Sequence, residues 1–79
     1  MSKFSERLSF LRKQKDISQK LLTQQIGVTV RCYQRYEYGE REPQLTTLIN
    51  LAKFYNISMD YLTCLTEEPG QFPQDLDLE

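Results

Sequence analysis

The 79-residue sequence contains no histidine, so the side chain that most often serves as acid, base or metal ligand is missing. It also lacks a glycine-rich phosphate-binding loop and a nucleophile with a base beside it. A chain of this length forms one small domain, which leaves little room for an elaborate active site. We therefore expect no enzymatic activity, no cofactor and no metal site.

Cysteine is scarce as well. Cys32 and Cys64 are the only two, and neither belongs to a CxxC motif that would indicate zinc binding. Free cysteines usually behave as small buried side chains, so we expect both to be reduced and half-buried. A redox-sensing role for Cys32 remains an alternative that rests on its position alone.

Long apolar runs are also missing. No window approaches the roughly 18 apolar residues of a membrane-spanning helix. The first ten residues, MSKFSERLSF, lack the apolar core of a signal peptide. We therefore expect a cytoplasmic protein that does not bind a membrane.

The formal charge of −1 conceals an uneven distribution. Residues 1–43 hold nine Lys or Arg and five acidic residues, whereas residues 44–79 hold one Lys and six acidic residues. A basic half within a nearly neutral chain is a weak indication of nucleic-acid binding. Ordinary solvated charges explain the same pattern equally well until motifs are considered.

Helical periodicity and helix caps are abundant. Phe4, Leu8 and Leu11 recur at i, i+4 and i+7, the spacing of one apolar helix face. Ser18, Thr29 and Ser58 precede later segments as N-caps, and Gly27 follows one where a left-handed C-cap is favoured. The predicted helices cover residues 3–15, 19–26, 30–37, 45–55 and 59–65. With no strand pattern anywhere, the sequence predicts an all-α fold, a compact five-helix bundle.

The composition changes at residue 67. The remaining segment, EEPGQFPQDLDLE, contains two prolines, one glycine and five acidic residues, and it has no hydrophobic period. Such composition is typical of chain that cannot bury enough apolar surface to fold. We therefore expect a domain over residues 1–66 and an acidic, flexible C-terminal tail over residues 67–79.

The second and third predicted helices are short and joined by Gly27, Val28 and Thr29, which together form a helix-turn-helix pattern. At about 100° per residue, Cys32, Tyr33 and Tyr36 fall on one side of the third helix. The residues on the opposite side of this helix are, as a set, too polar for a core. They suit DNA base edges, because Arg pairs with guanine, Gln with adenine, and Val with the thymine methyl. The predicted base contacts are Val30, Arg31, Gln34 and Arg35.

Five stretches of the chain now resemble the phage repressor, Cro and xenobiotic-response-element group of DNA-binding domains. They are RLSFLRKQKDISQ, IGVT, RYEYGEREP, LTTLINLAKFYNIS and MDYL, and they span about residues 7–65. The resemblance implies a lambda-repressor-like fold, double-stranded DNA as the partner, and a transcriptional regulator, most often a repressor. It also implies a homodimer on an inverted-repeat operator.

Further site residues follow from this resemblance by position. Arg12 and Glu37 match a pair that bridges the first and third helices and orients the arginine near the DNA backbone. The positions that match phosphate contacts are Ser18, Gln19, Thr29, Tyr38, Arg41 and Arg12. For the dimer contact we expect the turn before the fifth helix and that helix itself, around Ile57, Met59 and Tyr61.

Some positions depart from the family pattern. Thr23 stands where a small alanine is preferred, and Tyr33 stands where a branched aliphatic residue is usual. Phe10 and Leu21 occupy positions that are generally polar, so they are either scattered surface apolar residues or part of a surface for a protein partner. A protein-interaction module with the same fold, such as an antitoxin or an adaptor, is therefore the alternative. In that case Phe10, Leu21 or the acidic tail would bind the partner.

Overall fold

The structure is a computed structural model, and it describes residues 3–73 of the chain. Within that range the secondary structure is helical, with no strand. The helices are α1 (Lys3–Gln14), α2 (Gln19–Ile26), α3 (Val30–Glu37), α4 (Leu45–Tyr55) and α5 (Met59–Leu62). The prediction of an all-α, five-helix fold is therefore confirmed. Among these residues, no helix is both long enough and apolar enough to cross a bilayer.

Side-chain caps begin three of the helices, α2, α3 and α5. The Ser18 hydroxyl accepts from the Leu21 amide at 3.0 Å, and the Thr29 hydroxyl accepts from the Cys32 amide at 3.1 Å. Each bond satisfies an amide that has no partner within its helix. Gly27 ends α2 with φ +77°, a left-handed conformation that costs glycine little. The turn between α2 and α3 is thereby fixed by residues 18–29 themselves.

The last helix is shorter than predicted, because α5 ends at Leu62 and not at residue 65. Cys64 adopts φ +69°, which a right-handed helix cannot accommodate. The Leu65 amide instead bonds back to the Asp60 carbonyl at 2.8 Å. The prediction of a helix over residues 59–65 was therefore right about where α5 begins and wrong about its length.

All five helices contribute to one core. Each supplies a side chain that is 0% exposed, and these are Leu8, Leu22, Tyr33, Leu51 and Leu62 in chain order. α1 packs against α3 and α5, and α2 packs against α3 and α4. α3 is thus held by two helices, and its buried side carries Tyr33 and Tyr36.

Residues 67–73 form neither helix nor strand and contact the domain through backbone hydrogen bonds and one buried ring, and we call this segment the strap. Phe72 is only 7% exposed and belongs to the core. The Ser58 amide donates to the Pro69 carbonyl at 2.8 Å, and the Phe72 amide donates to Asn56 Oδ1 at 3.3 Å. The expectation of a flexible tail from residue 67 is therefore wrong for residues 67–73, because burial of one aromatic ring holds an otherwise polar segment. Residues 74–79 of the predicted tail lie outside the described residues.

Candidate nucleic-acid interface

The outward face of α3 carries the side chains predicted to read DNA. Arg31 and Arg35 are exposed, and Gln34 is half-buried beside them. Together with Tyr38 and Glu40 they line an open groove of about 340 Å³. Across residues 3–73, neither arginine has a carboxylate within salt-bridge distance. Their guanidinium donors therefore face solvent and can bind an acceptor from outside.

The opposite face of α3 is anchored in the core. Tyr33 is 0% exposed and Tyr36 is 4% exposed, and their rings meet edge to face with centroids 6.1 Å apart. Tyr33 therefore fills the space that a branched aliphatic residue fills in the family pattern. Thr23 is also buried, and its hydroxyl donates to the Lys20 carbonyl at 3.0 Å, whereas the buried Tyr33 hydroxyl has no hydrogen-bond partner among residues 3–73. The packing of the two tyrosine rings gives α3 a fixed rotation about its axis.

An ion pair ties α1 to α3. Arg12 Nε donates to Glu37 Oε2 at 2.7 Å, Nη2 donates to Oε1 at 3.3 Å, and Nη1 donates to the Ile17 carbonyl at 3.1 Å. Burial alone would raise the pKa of Glu37, but hydrogen bonds, chiefly from Arg12, hold it below its usual value. The Arg12 side chain is only 15% exposed. Three of its five donors are used inside the molecule to hold α3, and its assignment as a phosphate contact stays a prediction.

The same carboxylate begins a chain of side-chain amides that extends to the groove. Gln19 Nε2 donates to Glu37 Oε1 at 3.3 Å, and Gln34 Nε2 donates to Gln19 Oε1 at 3.1 Å. We call the series Glu37, Gln19 and Gln34 the amide relay. Sequence reasoning identified all three residues but not their contacts. The i, i+3 spacing of Gln34 and Glu37, which puts both on one helix face, was the only signal available.

The other residues predicted to contact phosphates lie at the surface, but some of their polar groups already form hydrogen bonds. Ser18 and Thr29 are exposed, but their hydroxyl oxygens already accept the cap hydrogen bonds of α2 and α3. Tyr38 is 61% exposed, and Arg41 is exposed in the loop after α3. Among the described residues, Tyr38 and Arg41 therefore have the least constrained donors.

Most of the residues predicted for the dimer contact are buried within the domain. Ile57 is 6% exposed and Tyr61 is 9% exposed, and both belong to the core, whereas Met59 is half-buried. The Arg7 guanidinium lies over the Tyr61 ring, 3.9 Å from its centroid, and donates to the Tyr61 carbonyl at 2.7 Å. Little of either Ile57 or Tyr61 reaches the surface of the single chain, and their assignment as interface side chains stays a prediction.

The remaining surface predictions concern cysteines and apolar residues. Cys32 and Cys64 are free and half-buried, and Cys32 Sγ donates to the Tyr36 hydroxyl at 3.1 Å. Phe10 is 50% exposed and Leu21 is 45% exposed. A redox role for Cys32 and a partner surface at Phe10 and Leu21 stay predictions.

Comparison with known proteins places this geometry among DNA-binding regulators. A family model described as helix-turn-helix matches residues 8–62. An uncharacterised helix-turn-helix transcriptional regulator of Bacillus subtilis, YqaE, is 44% identical over 59 residues, which cover 75% of this chain and 51% of that protein. The transcriptional repressor RstR of a cryptic phage in Vibrio cholerae is 36% identical over 64 residues, covering 81% of this chain and 58% of RstR.

A solved structure agrees with these matches. The crystal structure of a transcriptional regulator from Listeria innocua aligns with a TM-score of 0.73 at 28% sequence identity. The alignment covers 94% of this chain and 66% of the Listeria chain. The chain spans between half and three fifths of the length of the relatives it matches in sequence.

Proposed function

The chain belongs to the helix-turn-helix family of transcriptional regulators, and we propose that it represses transcription by binding an inverted-repeat operator as a dimer. The resemblance predicted from the sequence is thereby confirmed. The family binds DNA and is not enzymatic, in agreement with the sequence prediction. The cytoplasm is the compartment in which such a regulator meets its operator.

One observation carries the proposal, namely the outward face of α3. Two exposed arginines and a half-buried glutamine line a single groove there, while the other face of the helix is locked in the core. A major groove accepts a helix presented in this way, and Arg and Gln supply the hydrogen bonds that distinguish base pairs. Arg31, Gln34 and Arg35 would therefore read bases, and Val30 would contact a thymine methyl.

Backbone contacts would set the register of this helix on DNA. The amino-terminal end of α2 offers amides and a partial positive charge to a phosphate, beside Ser18 and Gln19. Tyr38 and Arg41 flank the other end of α3 with exposed donors. Thr29 adds an exposed side chain at the start of α3. These contacts would position the protein without carrying sequence information.

Dimer formation follows from the small footprint of one helix. A single recognition helix contacts only a few base pairs, so useful specificity requires two half-sites about one DNA turn apart. Because Ile57 and Tyr61 are buried, the contact would use exposed neighbours of α5. Leu65, which is 78% exposed, and the accessible part of Met59 are the apolar candidates there.

Selection of bound sequences from a random DNA pool, followed by a salt titration, tests the proposal. We expect near-palindromic sites and an affinity that falls steeply as salt rises. Arg35→Ala should relax the preference at one base pair in each half-site by roughly 1–3 kcal/mol. Lys53→Ala is the matched control, because it removes one positive charge from α4, outside the α3 face. An adaptor protein would instead show almost no DNA binding even at low salt.

A further inference from the structure

We infer that Glu37 and Gln19 set a base preference on this surface, by fixing which end of the Gln34 amide faces the DNA. The inference rests on the proposed reading of DNA by α3 and specifies what one of its side chains selects. Gln34 would be the contact residue. Gln19 and Glu37 would be positioning residues that act through it.

The direction of the amide relay begins at Glu37. An ionised carboxylate can only accept hydrogen bonds, and the Arg12 ion pair keeps this one ionised. Glu37 is also only 6% exposed, so water competes little for its oxygens. Gln19 must therefore turn its NH₂ group towards Glu37, as the 3.3 Å contact from Nε2 to Oε1 shows.

The orientation of the Gln19 amide determines the orientation of the Gln34 amide. With its NH₂ group towards Glu37, Gln19 presents its carbonyl oxygen to Gln34, and this oxygen requires a donor. Gln34 supplies one through Nε2 at 3.1 Å. If the Gln34 amide were reversed, two carbonyl oxygens would face each other and the bond would be lost. The ionised Glu37 therefore orients the Gln34 amide through Gln19, and the ion pair with Arg12 of α1 keeps Glu37 ionised.

What remains free on Gln34 is one N–H and the carbonyl oxygen, which has no partner among residues 3–73. Adenine presents an N6 donor beside an N7 acceptor in the major groove, which matches this pair of groups. Guanine presents two acceptors, N7 and O6, so the fixed carbonyl oxygen of Gln34 would face O6 unfavourably. The relay thus favours adenine over guanine at one base pair in each half-site.

A glutamine whose amide is not held by a neighbouring side chain would distinguish adenine from guanine less strongly. Its terminal amide can rotate by half a turn and present either a donor or an acceptor to the same base atom. The alternative role for Gln19, a simple phosphate contact, predicts a different effect. Its loss would weaken binding to every sequence by a similar factor.

The decisive variant is Gln19→Met, which keeps the length of the side chain and removes both hydrogen bonds. Gln25→Met is the matched control, because Gln25 lies on the same helix and is exposed. Binding should be measured on operators that carry adenine or guanine at each position, at several salt concentrations. We expect the preference for adenine at one position to fall from about tenfold to about twofold in Gln19→Met, given the usual size of a bidentate contact. The control should retain the full preference, and both variants should keep the salt dependence and melting temperature of the wild type.

Side-chain amide resonances of the free protein provide a second measurement that does not depend on DNA. In the wild type, one amide proton of Gln19 and one of Gln34 should exchange with water more slowly than those of the exposed Gln24 and Gln25. In Gln19→Met, the Gln34 protons should exchange as fast as those of Gln24.

The outcomes separate the two proposals. Fast exchange of Gln34 in the wild type, or a uniform loss of affinity in Gln19→Met with the base preference intact, overturns the relay and leaves the proposed function standing. Slow exchange in a wild-type protein that shows no sequence preference at all overturns the proposed function, and with it the base preference assigned to the relay.

Discussion

The hydroxyl of Tyr55 is buried with no hydrogen-bond partner among residues 3–73. A buried polar group without a partner costs about 1–3 kcal/mol of desolvation. We expect Tyr55→Phe to raise the free energy of unfolding by about 1 kcal/mol, because the ring keeps its packing and the cost is removed. Tyr38→Phe, at an exposed position, should change it little. Urea denaturation of both variants checks this, and a destabilised Tyr55→Phe would mean that the hydroxyl does find a partner in solution.

Glu37 should make stability depend on pH. Its pKa in the folded protein lies below its usual value, so the folded state binds a proton there less readily than the unfolded chain does. Its contribution is therefore complete above the usual glutamate pKa, about 4.3, and is lost as the pH falls through the lower folded value. Denaturation of wild type and Glu37→Gln at several pH values should show this loss in the wild type alone. Glu40→Gln, which changes an exposed carboxylate, should retain the wild-type profile.

At the scale of elements, α3 depends on its cap. The Thr29 hydroxyl satisfies the Cys32 amide at 3.1 Å, and loss of such a bond typically costs about 1 kcal/mol. We expect Thr29→Ala to lower the free energy of unfolding by that amount. Thr46→Ala, at an exposed position in the first turn of α4, should have a smaller effect. Thermal melting of the two variants provides the comparison, and equal stabilities would show that the α3 cap contributes nothing.

The elements also show how far sequence reasoning reaches. The bounds of α2 and the start of α3 were predictable because Ser18, Thr29 and Gly27 act on amides and carbonyls within four residues of themselves. The helical period of about 100° per residue was enough to predict which side chains of α3 face outward. The burial of Phe72 was not predictable, because the segment is held by residues distant in the chain, such as Asn56 sixteen positions away, and composition indicated a free tail. The amide relay was missed for the same reason, since its hydrogen bonds join α2 to α3 over eighteen and fifteen positions of the chain.

At the scale of the whole molecule, the strap completes the core. The Phe72 ring is 7% exposed, and removal of a buried aromatic ring commonly costs roughly 3–5 kcal/mol. We expect Phe72→Ala to approach the lower of these values, because one edge of the ring lies at the surface. Phe10→Ala, at a half-exposed ring on α1, should cost much less. Guanidinium denaturation of the two variants decides the matter, and equal costs would show that the strap is not part of the cooperative unit.

The position of the strap in the chain has a consequence for synthesis. Because a chain leaves the ribosome from its amino-terminal end, α1 to α5 emerge before residues 67–73 do. A nascent chain that has reached Leu62 holds all five helices, yet the Phe72 ring that closes their core has not been made. Exposed apolar surface of that kind is what chaperones and proteases recognise. Until the strap emerges, the nascent domain therefore lacks one ring of its core and leaves apolar surface open to such recognition.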